Sequence, residues 1–308
     1  TTDDSTRVFL FGGKSNADFF NDLYIGSSKS NGEIDWKMVK YAKSDIDPPE
    51  PRAGHTLLYY NNELFLFGGY QKERVFTLKD GKWRKPSTGD VEFCSARFYH
   101  SACRAGQFMV IHGGRNQQQV LNDTCFFDMV QKKWIFVKIN GESLCRYGHR
   151  SVFANGFFIF VGGTDEKKEI VPPSVIDCTK DRDWNYRDMK MGGNDPSTLF
   201  LFGLAYLKSN GFYIFGGIDS FTLDSISNCY YYIKFPPMIA AKREKQPVPQ
   251  IIDNEAAIQA LRQKSDTLKL RKNTKSLFSF FKTKSSDNLQ ALDNAKSTSL
   301  SLIAENSQ

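Results

Sequence analysis

The side chains with the widest chemical range in this sequence are its four histidines. Histidine serves as a general base and as the commonest metal ligand, but a metal site needs several ligands that converge on one point. His55, His100 and His149 instead stand one to a segment, each three residues after an arginine. We therefore interpret them as structural residues that hydrogen-bond to neighbouring backbone. His112 replaces an apolar residue in an apolar run, and we interpret it as a hydrogen-bonded strand residue.

The cysteines show no catalytic or metal-binding pattern. The six are Cys94, Cys103, Cys125, Cys145, Cys178 and Cys229. None forms the Cys-x-x-Cys pair that zinc sites and redox motifs use, and a free cysteine beside strand residues packs as a small apolar side chain. We expect reduced thiols, which are typical of the cytosol. The sequence also contains no Gly-x-Ser-x-Gly elbow and no phosphate-binding glycine loop. It therefore predicts no catalytic residue, no metal and no cofactor.

A repeated pair of glycines defines the elements that carry these residues. Five apolar runs end in Gly-Gly, and the steps between the second glycines are 56, 45, 49 and 54 residues. A period near fifty with a strand-like core is typical of a propeller repeat. Glycine suits positions where backbones crowd together or φ is positive. The pairs are Gly12-Gly13, Gly68-Gly69, Gly113-Gly114, Gly162-Gly163 and Gly216-Gly217.

Other residues keep step with the glycines. Arg-x-x-His precedes the Gly-Gly run in three repeats, Asn-Asp follows it at Asn21 and Asn122, and a tryptophan comes last. Each repeat therefore predicts four short strands, and a sheet of this size buries both faces only by stacking against neighbouring sheets. We expect the tryptophans to fill the space between these sheets. They are Trp36, Trp83, Trp134 and Trp184.

With these motifs in this order, residues 1–237 resemble the kelch-repeat family. The resemblance implies an all-β fold, a kelch-type β-propeller of four-stranded blades, with about five repeats visible. The second repeat has Arg74-Val75-Phe76-Thr77-Leu78 in place of the Asn-Asp strand, and the fifth has Phe200-Leu201-Phe202-Gly203 in place of Arg-x-x-His. The first repeat is incomplete, because it starts at its Gly-Gly strand. We therefore expect a propeller that is truncated at its N-terminal side.

Residues 238–308 differ in composition from the repeats. They carry twelve Lys and Arg against seven Asp and Glu, which is +5 of the +7 net charge. The repeat region is thus near neutral and gives no electrostatic argument for nucleic-acid binding. We interpret the segment as a basic flexible tail with a short helix near 253–272. Its aromatic run between Lys275 and Lys284 fits an anionic membrane surface, a short motif for a partner protein, or a disordered tail.

The loops that follow Gly-Gly form the predicted binding site. In peptide-binding relatives of the kelch family, these loops line one mouth of the central channel. Tyrosine and arginine dominate protein-binding hot spots, and the arginine fork suits a carboxylate or a phosphate. Tyr70, Arg115 and Asn116 are therefore the residues that we most expect to contact a partner. The predicted partner-binding residues are Tyr70, Arg74, Arg115, Asn116, Asp165 and Asp219.

The predicted function is a cytoplasmic, non-enzymatic scaffold or adaptor that captures another protein on a propeller loop face. The contacted surface could be an acidic peptide segment, and the resemblance implies a ubiquitin-ligase or cytoskeletal component as partner. No stretch approaches the roughly 20 apolar residues that cross a membrane, and no secretion signal is visible. Two alternatives stay open: a membrane-peripheral trafficking or cytoskeletal factor that uses the basic aromatic tail, and a propeller metalloenzyme.

Overall fold

A computed structural model shows five antiparallel sheets that follow one another along the chain, as the blades of a β-propeller. The structure describes residues 1–2, 7–41, 46–70, 75–88, 94–189, 199–207, 211–218, 230–234, 249 and 251–252. Within these residues there is no α-helix, and hence no helix with the length and apolarity to span a membrane. The predicted helix at 253–272 and the aromatic run between Lys275 and Lys284 lie outside the described residues.

Three-stranded sheets form the first and the last blade of the described chain. Blade 1 consists of β1 (Arg7–Lys14), β2 (Phe19–Ser28) and β3 (Ile34–Met38). Its first strand is the Gly-Gly strand. At the edge where a further strand would pair, the described residues form only a bridge between Thr2 and Val8. Blade 5 consists of β17 (Gly203–Leu207), β18 (Gly211–Phe215) and β19 (Tyr230–Lys234).

The three middle blades have the four strands that each repeat predicts, in chain order from the innermost strand outwards. Blade 2 consists of β4 (His55–Tyr60), β5 (Glu63–Gly68), β6 (Val75–Lys79) and β7 (Lys82–Arg84). Blade 3 consists of β8 (Ser101–Ala105), β9 (Phe108–His112), β10 (Thr124–Asp128) and β11 (Lys133–Val137). Blade 4 consists of β13 (Arg150–Ala154), β14 (Phe157–Val161), β15 (Ser174–Asp177) and β16 (Trp184–Asp188).

Two short strands extend the outer edges of the middle blades. β12 (Ile139–Asn140) pairs in parallel with β16, so the segment that leaves blade 3 binds the edge of blade 4. β20 (Ile251–Ile252) pairs with β11 of blade 3, opposite Phe136 and Val137. This strand belongs to the segment that we assigned to the tail, and the domain boundary at residue 237 stays a prediction.

The blades stack through apolar clusters, and the tryptophans lie at the centre of them. Trp83 packs on Phe11 of blade 1, and Trp134 packs on Phe67 of blade 2. Trp184 contacts Phe126 of blade 3 in the same manner, so each indole faces the preceding blade. A ring buried in this way removes a large apolar area from water, which is the main source of stability here.

Trp36 corrects the expectation that all four tryptophans fill inter-blade space. Its side chain lies across Gly26 in the neighbouring strand, on the face of blade 1 that points away from blade 2. No described blade covers this face, and the ring is 45% exposed. The indole has the same place in the repeat as its equivalents. Trp36, Trp83 and Trp134 each lie opposite the strand that follows the Gly-Gly strand of their blade. The difference therefore comes from the neighbour that it lacks.

Candidate protein-binding face

The arginine of each Arg-x-x-His segment is fully buried and holds the glycine pair of its own blade. Arg52, Arg97 and Arg146 each donate from Nη1 to the carbonyl of the first glycine, at 3.0, 3.2 and 3.2 Å. Asp123 of the Asn-Asp motif accepts two hydrogen bonds from Arg97, at 2.6 and 2.8 Å. A bidentate charged pair fixes geometry as well as energy. These motifs therefore form the frame that positions the loops after Gly-Gly.

The histidines of the same segments connect neighbouring blades. Nε2 of His100 lies 2.8 Å from Thr56 Oγ1, and Nε2 of His149 lies 2.7 Å from Ser101 Oγ. Both hydroxyls belong to the innermost strand of the preceding blade, whereas we expected backbone partners. Burial lowers the pKa of His55 to about 4 and the pKa of His100 and His149 well below the ordinary value. All three imidazoles are therefore neutral at pH 7.

These rings also explain why the first glycine of a pair carries no side chain. A Cβ at Gly113 would lie 2.6 Å from the carbonyl oxygen of Arg146 and 3.0 Å from Cε1 of His149. The backbone φ of Gly113 is 56°, a conformation that L residues rarely adopt. The glycine therefore lets two blades approach closely at the point where the binding loop begins.

His112 is engaged in hydrogen bonds within the blade core. Its Nδ1 lies 2.8 Å from Thr124 Oγ1, its Nε2 lies 3.2 Å from Ser143 Oγ, and its ring stacks on Phe160. Among the described residues, no group of three or more His, Cys, Asp or Glu side chains stands together in a way that could hold a metal ion. The five described cysteines are free thiols.

In the three middle blades, backbone pairing places the residue after the glycine pair beside the second residue of the Arg-x-x-His segment. Arg115 and Phe98 exchange two hydrogen bonds of 3.0 Å, and Thr164 and Tyr147 do the same. In blade 2 the amide of Tyr70 donates to the carbonyl of Ala53, the second residue of that blade's Arg-x-x-His segment, at 3.1 Å. Side chains from two stretches of each blade therefore meet at one mouth of the propeller.

At this mouth, aromatic and cationic side chains form a continuous row across four blades. Tyr70 stacks on Phe98, with ring centroids 4.2 Å apart and planes inclined by 23°. The guanidinium carbon of Arg115 lies 6.0 Å from the centroid of Phe98 and 5.2 Å from that of Tyr147. Phe19 of blade 1 continues the row, 6.0 Å from Tyr70. We call these five residues the mouth row.

Exposure within the mouth row is uneven, and this separates contact residues from supporting ones. Phe98 and Tyr147 are buried, whereas Tyr70 is 43% exposed and Phe19 is 37% exposed. Arg115 is partly exposed, and no carboxylate of the described residues forms an ion pair with it. The two rings hold the guanidinium through cation–π contacts. Tyr70 and Arg115 therefore face solvent on a rigid aromatic base.

Asn116 and Asp165 hold the loops of this face in shape. Oδ1 of Asn116 accepts hydrogen bonds from the backbone amides of Gln118 and Gln119, at 2.8 and 2.9 Å. Oδ1 of Asp165 accepts from the amides of Lys167 and Glu169, at 2.8 and 3.0 Å. Turns closed by Asn or Asp side chains are a common loop device. Their part in partner binding stays a prediction.

Two predicted residues cannot be placed, and two supporting residues were missed. Arg74 and Asp219 lie outside the described residues. Phe98 and Tyr147 were not predicted as part of the site, although both occupy the second position of Arg-x-x-His. An aromatic residue recurring at that position was the available signal. Its importance follows only from the pairing of that segment with the Gly-Gly loop.

Comparison with known proteins agrees with this architecture. Residues 1–163, more than half of the chain, match the family model described as KLHDC2/KLHL20/DRC7 Kelch-repeats domain. The chain belongs to the Kelch-repeat family. Kelch propellers are in general protein-interaction scaffolds, which agrees with a rigid mouth lined by tyrosine and arginine.

Several curated proteins are similar to this Kelch chain. Kelch domain-containing protein 1 of Mus musculus is 25% identical over 169 residues, 44% of this chain and 41% of that protein. Adagio-like protein 3 of Oryza sativa subsp. japonica is 30% identical over 172 residues, 51% of this chain and 26% of that protein. Leucine-zipper-like transcriptional regulator 1 homolog of Drosophila melanogaster is 25% identical over 213 residues, 64% of this chain and 21% of that protein. The chain thus matches less than half the length of each of these relatives.

Proposed function

We propose that this Kelch propeller is a non-catalytic binding module that captures a partner protein on the mouth row. The exposed ring of Tyr70 provides an apolar contact with a polar hydroxyl, and Arg115 provides a fixed positive charge. A partner segment that carries an acidic side chain next to an apolar one fits both. Rigid aromatic and arginine side chains are the residues that supply most of the binding energy in protein interfaces.

The observation that carries the proposal is the environment of Arg115. Its Nε is buried without a hydrogen-bond partner among the described residues, and its guanidinium rests between two rings without an ionic partner. A charge placed in this way is oriented before a ligand arrives, so that little side-chain entropy is lost on binding. A carboxylate on the partner would accept hydrogen bonds from the exposed part of the guanidinium.

We place this activity in the cytosol, as a scaffold or adaptor. Free, mostly buried thiols support this location, since disulfides form chiefly in oxidising compartments. A ubiquitin-ligase or a cytoskeletal component is the class of partner that we propose. The chain matches less than half the length of each relative, so their partners are not transferred to this chain.

A pull-down from cytosol, read by mass spectrometry, tests the proposal. The bait is the full 308-residue chain, compared with a Tyr70→Ala, Arg115→Glu double variant. The control is Val130→Ala, Lys133→Glu, which also truncates one exposed apolar side chain and reverses one positive charge, at the opposite end of blade 3. We expect partners that the mouth variant loses and the control retains. Identical partner sets for all three baits would refute the assignment of binding to the mouth row.

A further inference from the structure

One position of the innermost strands breaks the repeat at blade 4. The residue opposite the one that immediately precedes Gly-Gly is Thr56 in blade 2, Ser101 in blade 3 and Arg150 in blade 4. The first two are the hydroxyls that bind the histidine of the next blade. In blade 5, Phe202 stands where that histidine would be, and it packs against Gly162 as the imidazoles pack on their glycines. Between blades 4 and 5, both members of the hydroxyl–imidazole pair are therefore replaced, the hydroxyl by Arg150 and the imidazole by Phe202.

Among the described residues, the guanidinium of Arg150 has no charged partner. Its Nη1 donates to the carbonyl of the adjoining His149 at 3.1 Å, and no carboxylate of the described residues pairs with it. The buried arginines of the Arg-x-x-His segments have acidic neighbours, such as Asp123 beside Arg97. Burial lowers the pKa of Arg150, and no acidic group offsets this effect. A guanidinium remains charged at neutral pH even so.

The surroundings of Arg150 are the inner ends of the blades. The strands β4, β8, β13 and β17 neighbour one another in that order and form the inner wall. Arg150 stands at the start of β13, and β13 neighbours β8 on one side and β17 on the other. Gly203 of β17 has the register in blade 5 that Arg150 has in blade 4. Glycine has no side chain, so it leaves space beside Arg150.

We propose that Arg150 forms a binding site for a small oxyanion, of the phosphate or carboxylate class, on the inner wall of the propeller. The bound anion would supply the acceptor that the carboxylates of the described residues do not. Planar, bidentate recognition of such anions is the property that distinguishes arginine from other cations. The site is separate from the mouth row, so it can exist whether or not Arg115 binds a partner protein.

Isothermal titration of the full chain with inorganic phosphate tests this site, with sodium chloride at the same ionic strength as reference. The test variant is Arg150→Ser, which restores the residue type of blade 3. A second variant, Arg150→Ser with Phe202→His, rebuilds the hydroxyl–imidazole pair and guards against a folding defect. Lys133→Gln is the control, because it removes one exposed positive charge on β11 and leaves the inner wall and the mouth row intact.

We expect saturable binding to the wild-type chain and to Lys133→Gln, and at least a tenfold loss of affinity in both Arg150 variants. Phosphate at ten times its Kd should raise the Tm of the wild-type chain by about 2–5 °C. The rise should be clearly smaller in both Arg150 variants. Phosphate also stabilises folded proteins by exclusion from their surfaces. An equal rise in all variants, or no saturable binding to the wild-type chain, would overturn the proposal.

Discussion

The tryptophans of blades 1 and 3 form a matched pair that tests the stacking of the blades. Trp134 is 6% exposed and packs 5.4 Å from the ring centroid of Phe67. Trp36 has the same register but is 45% exposed. If a tryptophan presents about 250 Å², the two rings bury areas that differ by about 100 Å². At about 25 cal/mol per Å², this difference is worth about 2.5 kcal/mol. Truncation of Trp134 also leaves a cavity, which adds to its cost.

The assay is equilibrium unfolding in urea, followed by far-UV circular dichroism, on Trp134→Ala and Trp36→Ala. We expect the free energy of unfolding of the first variant to lie about 2–3 kcal/mol below that of the second. With a slope near 3 kcal/mol per M, the two midpoints differ by about 1 M. Equal slopes would show that both variants unfold from comparable states. Equal midpoints, or a larger loss in Trp36→Ala, would refute the account of how the blades stack.

Two further predictions concern the frame of the binding face. Burial lowers the folded-state pKa of the four histidines. Below about pH 6.5, therefore, only the unfolded chain takes up their protons. Each histidine then lowers the free energy of unfolding by up to about 1.4 kcal/mol for each unit by which the pH falls. Urea unfolding at pH 7.5 and 5.5 measures this loss. In His149→Phe, the dependence of the unfolding free energy on pH should decrease by the equivalent of one proton. An unchanged dependence would contradict a neutral His149 in the folded state. Gly113→Ala should destabilise the chain by about 2 kcal/mol or more, because its Cβ would clash with a carbonyl oxygen at positive φ. Gly203→Ala, whose Cβ meets nothing closer than 3.5 Å, should stay within about 0.5 kcal/mol; equal Tm values for the two variants would count against this explanation.

The architecture could be predicted from the sequence because each repeat encodes its own blade. The apolar Gly-Gly runs became the second strands, and these strands are buried on both faces because a blade lies on either side. The order of motifs within one repeat therefore predicts the number of strands in a blade and the position of its loops. The same reasoning failed at Trp36, since the exposure of that ring depends on a neighbouring blade and the repeat itself is unchanged.

The binding face was only partly predictable, for a related reason. Position after Gly-Gly located Tyr70 and Arg115, but it could not indicate which aromatic rings lie beneath them. Phe98 and Tyr147 reach the mouth through backbone pairing between two stretches that are separated along the chain. Likewise, the missing partner of Arg150 is visible only when the innermost strands are aligned by register. Contacts between blades therefore decide what the repeat motif leaves open.

The central claim is that a partner protein docks on the mouth row, and photocrosslinking tests it most directly. Benzoylphenylalanine would replace Tyr70 on the mouth in one chain and Val130, which is 58% exposed at the other end of blade 3, in a second. After irradiation in cytosol, we predict a discrete crosslinked partner from position 70 that disappears when Arg115→Glu is added. Crosslinks from position 130 alone, or position-70 adducts that persist with Arg115→Glu, would contradict the claim.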